Sequence, residues 1–105
     1  MAQVLVVSGF DWDHGNRDKC CKHGVTHAEV ESLFQHELRV FPDLRHSRSE
    51  TRFFAVGRTA SGRYVFVAFT VRSRAGNRYI RPISARFMHS REVRHYEAEI
   101  ARRQN

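Results

Sequence analysis

The chain has 105 residues, 41% of them hydrophobic, which suffices for one core and is too little for two. Eighteen Lys and Arg against eleven Asp and Glu give a net charge of +7, a balance suited to a polyanionic partner. No apolar run is long enough to span a bilayer, and Met1-Ala2-Gln3 before Val4 to Val7 lacks the charged front and cleavage site of a secretory signal, so a single domain over residues 1–105 in the cytoplasm is expected.

Gln3 to Phe10 reads as a first strand, apolar at the consecutive positions Val4, Leu5, Val6 and Val7 and therefore buried on both faces. A polar stretch from Asp13 to His23 reads as a helix, weakened by Gly15 and ended by Gly24 in the left-handed position after the last turn. Thr26 and Glu29 then make a capping box, with Val25 stapled onto Val30, so a second helix starts at His27. Its stripe of Val30, Leu33 and Phe34 packs on a sheet, and it ends near His36.

Leu38 to Phe41 is a short strand closed by Pro42, and Asp43 to Ser49 is the longest loop. Arg52 to Arg58 and Arg63 to Arg72 are strands joined by Thr59-Ala60-Ser61-Gly62, with Gly62 placed for a positive φ. Val65, Val67, Phe69 and Val71 line one face of the second, and Tyr64, Phe66, Ala68 and Thr70 the other, which predicts a central strand. Arg74 to Asn77 is a turn, and Arg78 to Arg86 a last strand in which Pro82 implies a bulge or an edge. Ser90 is placed to cap a final helix that buries Val93, Tyr96 and Ile100 and turns Arg91, Arg94, His95 and Arg102 outward. The order is strand, two helices, four strands and helix: an α+β domain with a largely antiparallel sheet.

The charge is unevenly distributed. Residues 1–50 hold six basic and eight acidic side chains, whereas residues 51–105 hold twelve basic and three acidic. Sixteen of the eighteen cations are arginines, whose planar forks pair with phosphate and stack on bases. Cys20 and Cys21 are neighbours and are expected as free thiols, because a disulfide scaffold needs spaced pairs. Seven histidines invite a metal site, but Gly24 separates His23 from His27 and no second cluster completes a ligand set. No metal and no cofactor is expected.

At this point an ordered set of short pieces resembles the BrnT family of toxins. The pieces are Phe10-Asp11-Trp12-Asp13, Lys22-His23-Gly24-Val25, His46-Ser47 with Glu50, Arg52 and Phe53, Gly57-Arg58-Thr59, and Gly62-Arg63. They continue with Val67-Ala68-Phe69-Thr70, Ile83-Ser84-Ala85-Arg86, Arg91-Glu92 and Tyr96-Glu97. The segment between Asp13 and Lys22, and Pro82, depart from the family pattern. The resemblance implies a RelE-like fold with two N-terminal helices and a C-terminal helix. It also implies a metal-independent endoribonuclease toxin of a type II pair, with RNA as substrate. A ribbon-helix-helix antitoxin of the BrnA kind would neutralise it, and operator DNA would be met only through that antitoxin. In such enzymes the substrate's own 2′-hydroxyl attacks the neighbouring phosphate while the protein supplies cations and proton transfer.

For that chemistry Arg58, Arg86 and Arg81 are candidate cations, because guanidinium groups fixed in advance stabilise charge growing on a phosphate. His23 is the candidate proton-transfer group; the alternative is a helix cap. Lys22 and Arg91 join Arg81 as candidate RNA contacts. His46 stands second to His23, a loop-organising hydrogen bond from His46 or Ser47 being the simpler role. Glu50 and Arg52 lie two apart on one strand face and are expected to pair, Glu92 to orient Arg86, and Tyr96 and Trp12 to serve the core. Two other readings remain open. One is a non-catalytic RNA- or DNA-binding module, which the charge alone would support; the other is an inactivated toxin relative kept as an interaction protein.

Overall fold

The two longest β-rich runs make the centre of the molecule. In the computed structural model, which describes the backbone of residues 2–3, 5–46 and 48–104 and side chains over 5–46 and 48–103, they are β5 (Tyr64–Arg74) and β6 (Asn77–Phe87). Ala75 and Gly76, at φ 51° and 82°, form the tight turn between them. On the other side β5 pairs with β4 (Arg52–Arg58), which pairs with β3 (Leu38–Pro42), all antiparallel. Gly62, at φ 86°, closes the β4–β5 hairpin as expected. The register slips between Ala68 and Phe69, so that Ser84 faces Ala68 while Pro82 faces Phe69. This is the bulge expected at Pro82, which is an interior residue and almost fully buried.

The expected strand over 3–10 is two short ones at opposite edges of the sheet. β1 (Ala2–Gln3) pairs antiparallel with β3 and β2 (Gly9–Phe10) pairs parallel with β6, giving the order β1-β3-β4-β5-β6-β2 and a mixed sheet. The chain passes from edge to edge between them. Burial on both faces is therefore not found: Leu5 and Val7 pack against the core, whereas Val6 is 84% exposed. Val4 and Ser47 lie outside the described residues.

The helix expected over 13–23 is a single turn, α1 (Arg17–Cys20). Asp13 and Asn16 take up backbone groups ahead of it instead. The Gly15 N–H donates to Asp13 Oδ1 at 2.7 Å, and the Asp13 N–H to Asn16 Oδ1 at 2.8 Å, a local turn that competes with helix. Gly24 does adopt a positive φ, 94°. The second helix, α2 (His27–Leu33), has the full capping box between Thr26 and Glu29 and buries Val30 and Leu33. It presses so closely on β4 that a Cβ on Gly57 would meet Leu33 Cδ2 at 3.2 Å. The last helix is α3 (Ser90–Gln104). Its capping position is taken by His89, not Ser90: the His89 carbonyl accepts from the Val93 N–H, and Glu92 reaches back to the His89 N–H at 3.0 Å.

The core fills one face of the sheet, where α1 and α2 lie. Val65, Val67 and Phe69 meet Val30, Leu33 and Phe34, and the Phe34 and Phe69 rings are 5.1 Å apart. Trp12 packs at its margin, donates to Glu31 Oε2 at 2.8 Å and meets the His27 ring edge-on. Cys20 and Cys21 are free thiols, and burial pushes the Cys20 thiol up to about 12. Among the described residues no helix is long and apolar enough to cross a membrane.

Candidate functional site

Side chains alternate across a strand, so the register fixes which arginines share the face turned away from α1 and α2. On that open face Arg58 stands opposite Tyr64. The next cross-strand row is Arg39, Val56, Phe66 and Arg86, followed by Phe41, Phe54, Ala68 and Ser84, and then by Arg52, Thr70 and Arg81. The Phe41, Phe54 and Phe66 rings are 5.7 and 4.9 Å apart in succession, an aromatic strip with arginines on its flanks.

α3 stands over one end of this face. Between helix and sheet runs a groove of about 720 Å³, floored by Phe41, Phe54 and Phe66 and walled by Arg91, His95 and Tyr96. Two contacts fasten the helix there. Arg86 donates through both terminal nitrogens to the two Glu92 oxygens, at 2.8 and 2.9 Å, with its guanidinium 5.2 Å from the Phe66 ring centre. The Arg86 pair, and then the His89 N–H, hold the Glu92 carboxyl down to about 2, and Glu92 raises Arg86 in return. Tyr64 donates to Glu97 at 3.1 Å and packs edge-on against Tyr96. Burial pushes both phenols up. Arg58 lies over the Tyr64 ring at 4.8 Å.

The far end of the face is a network of ion pairs. Arg81 grips both Asp13 oxygens at 2.9 and 3.0 Å and lies 3.6 Å from Asp11, which Arg74 also holds at 2.9 Å. The Arg81 bonds, and then the Gly15 N–H, keep the Asp13 carboxyl below the usual carboxylate range. Asn16 Nδ2 donates to the Asp11 and Pro82 carbonyls at 2.9 and 2.8 Å, which ties the loop after β2 to β6. Glu50 pairs with Arg72 at 2.8 Å, and Arg52 lies 3.6 Å from Asp43. The expected Glu50–Arg52 pair is thus replaced by two pairs, each joining a strand arginine to a loop carboxylate. His46 Nδ1 lies 2.9 Å from Asp43 Oδ2. Among the described residues no group of three His, Cys, Asp or Glu side chains is placed to hold a metal ion.

The family described as the ribonuclease toxin, BrnT, of type II toxin-antitoxin systems matches residues 12–92. The chain belongs to the BrnT family. A search of curated proteins finds no match to it. The BrnT match takes in α1, α2, strands β3 to β6 and Glu92, and so both ends of the open face.

Within this BrnT domain the candidate residues divide between two sides. Arg58 and Arg86 share the open face, and Arg91 stands on α3 beside the groove. Arg81 shares that face but is engaged by Asp13 and only 16% exposed. Lys22 and His23 are exposed on the turn after α1, in the helical layer, so His23 is not brought together with Arg86. Arg39, Asp43, His95 and Tyr64 were not singled out by sequence reasoning. Strand parity was the available signal for Arg39 and Tyr64, since both alternate with core residues.

Proposed function

We propose that the chain is a metal-independent endoribonuclease toxin of RelE-like fold that arrests translation by cutting RNA. A ribbon-helix-helix antitoxin of the BrnA kind restrains it in the cytoplasm, and operator DNA is reached only through that antitoxin. RNA lies along the open face. Arg86, Arg58 and Arg91 are the cations that hold its phosphates, and the 2′-hydroxyl of the substrate attacks the scissile phosphate.

The observation that carries this reading is Arg86, which Glu92 fixes over Phe66 while 40% of its side chain stays exposed. A guanidinium already locked in place needs no reorganisation when a phosphate arrives. The purified protein, freed of metal by chelator, is expected to cut RNA. Arg86→Ala should lower cleavage roughly ten- to hundredfold, as loss of a charge-assisted hydrogen bond does. Growth arrest on expression should ease in parallel.

The aromatic strip beside the arginines also suits stacking of unpaired bases without chemistry. Saturable RNA binding with no cleavage, whether the RNA is free or on ribosomes, would favour a non-catalytic module instead.

A further inference from the structure

An endoribonuclease of this kind needs a group that moves a proton, and His23 lies in the layer of α1 and α2, away from the arginine-bearing face. At the far end of the open face a different histidine meets the requirement. Asp43 follows directly on β3, its N–H donating to the Arg52 carbonyl at 2.7 Å, and it is buried to 8% exposure. His46 turns back on it. Its ring Nδ1 lies 2.9 and 3.1 Å from the two Asp43 oxygens, and its backbone N–H donates to Asp43 Oδ1 at 3.3 Å. A carboxylate only accepts, so in the neutral imidazole Nδ1 carries the proton and Nε2 keeps its lone pair. The His46 side chain is 57% exposed, so that nitrogen is available to a substrate.

We propose that His46, oriented by Asp43, is the catalytic proton-transfer residue of this enzyme, acting on the 2′-hydroxyl of an RNA strand laid across the open face. The assignment rests on the ribonuclease reading above. As the 2′ oxygen attacks phosphorus, its O–H bond breaks and the P–O2′ bond forms. Nε2 of His46 takes the proton, and the P–O5′ bond breaks. The proton then passes to the 5′ oxygen, leaving a 2′,3′-cyclic phosphate and a 5′-hydroxyl, so the step balances with no co-reactant.

The surroundings suit the role. Arg52 lies beside Asp43, and its row continues across the sheet through Thr70 to Arg81. Arg45 and Arg48, both exposed, flank His46 on its own loop, and Glu50, just before β4, pairs with Arg72 of β5. The Arg86 row lies four β5 residues away, about 13 Å at ~3.3 Å per residue. Arg86 therefore holds a phosphate further along the same strand, while His46 serves the one that reacts.

The test compares pH-rate profiles of RNA cleavage for the wild-type chain, His46→Asn and His46→Ala, alongside RNA binding and thermal melts. Asparagine keeps an N–H for Asp43 but has no titratable nitrogen. His46→Asn should fold and bind RNA as wild type does, lose cleavage a hundredfold or more, and lose the corresponding limb of the profile. Added imidazole should restore part of the activity of His46→Ala. A His46→Asn protein with wild-type rate and profile would overturn the assignment and leave the ribonuclease reading standing. A folded His46→Ala protein that imidazole does not rescue also counts against it. A wild-type chain that cuts no RNA removes both.

Discussion

Arg81 and Arg86 lie on one strand and one face, yet in different electrostatic company. Arg81 faces two carboxylates, Asp13 and Asp11, and is 16% exposed, so its charge is committed to holding the loop after β2 against β6. Arg86 has one carboxylate partner and stays 40% exposed, which leaves room for a second anion. Thr70, between Arg52 and Arg81 in the same row, presents the opposite case. Its hydroxyl is buried and has no hydrogen-bond partner among the described residues. An unpaired buried hydroxyl costs roughly 1–3 kcal/mol, and valine keeps the branched shape without it. Thr70→Val is expected to raise stability by about 1 kcal/mol in urea unfolding; a lower midpoint would mean that the hydroxyl is engaged.

Elements whose causes are local were legible from the residues alone. The Thr26–Glu29 box starts α2 where the spacing predicts, and the alternation of Val65, Val67 and Phe69 with Phe66, Ala68 and Thr70 marks β5 as central. The N-terminal strand was not legible, because its two halves pair with β3 and β6 at opposite edges and no local signal encodes that. The same limit applies to the candidate site. Arg86 and Glu92 are six residues apart and their pairing could be read, whereas Arg81 and Asp13 are 68 apart and theirs could not. The motif around His23 says nothing of which sheet face it joins, so its position relative to the arginines could not be read. Glu92 also makes the attachment of α3 sensitive to acid. Its carboxyl is depressed from 4.5 to about 2, by Arg86 first and the His89 N–H second, so its contribution is present above about 4.5 and is lost as pH falls through about 2. Unfolding free energies of wild type and Glu92→Gln should therefore differ at neutral pH and converge between about 4.5 and about 2. A difference that stays constant over that window would show that the ion pair adds nothing to the folded state.

At the scale of the whole molecule, the division of charge along the chain becomes a division in space. Residues 51–105, with twelve basic and three acidic side chains, supply β4, β5, β6 and α3, which build the middle of the open face and the helix beside it. The helical layer comes from the first half, which is slightly acidic. Several of the face's arginines are paired internally, Arg72 with Glu50 and Arg81 with Asp13, so the number free to meet phosphate is smaller than the count of basic residues suggests. Arg58 and Arg91, with Arg86 paired to Glu92 but still 40% exposed, are the contacts argued above, and each phosphate neutralised on a single strand adds roughly −0.7 to the log-log dependence of affinity on salt. Three contacts give a slope of about −2, and arginines of the Arg45–Arg48 loop would steepen it. Titrating a short single-stranded RNA against the protein from low to physiological salt measures that slope directly. A value near −2 or steeper, reduced by about one contact in Arg86→Ala, is the expected result; affinity that stays flat over this range would mean that phosphate charge does not hold RNA on this face.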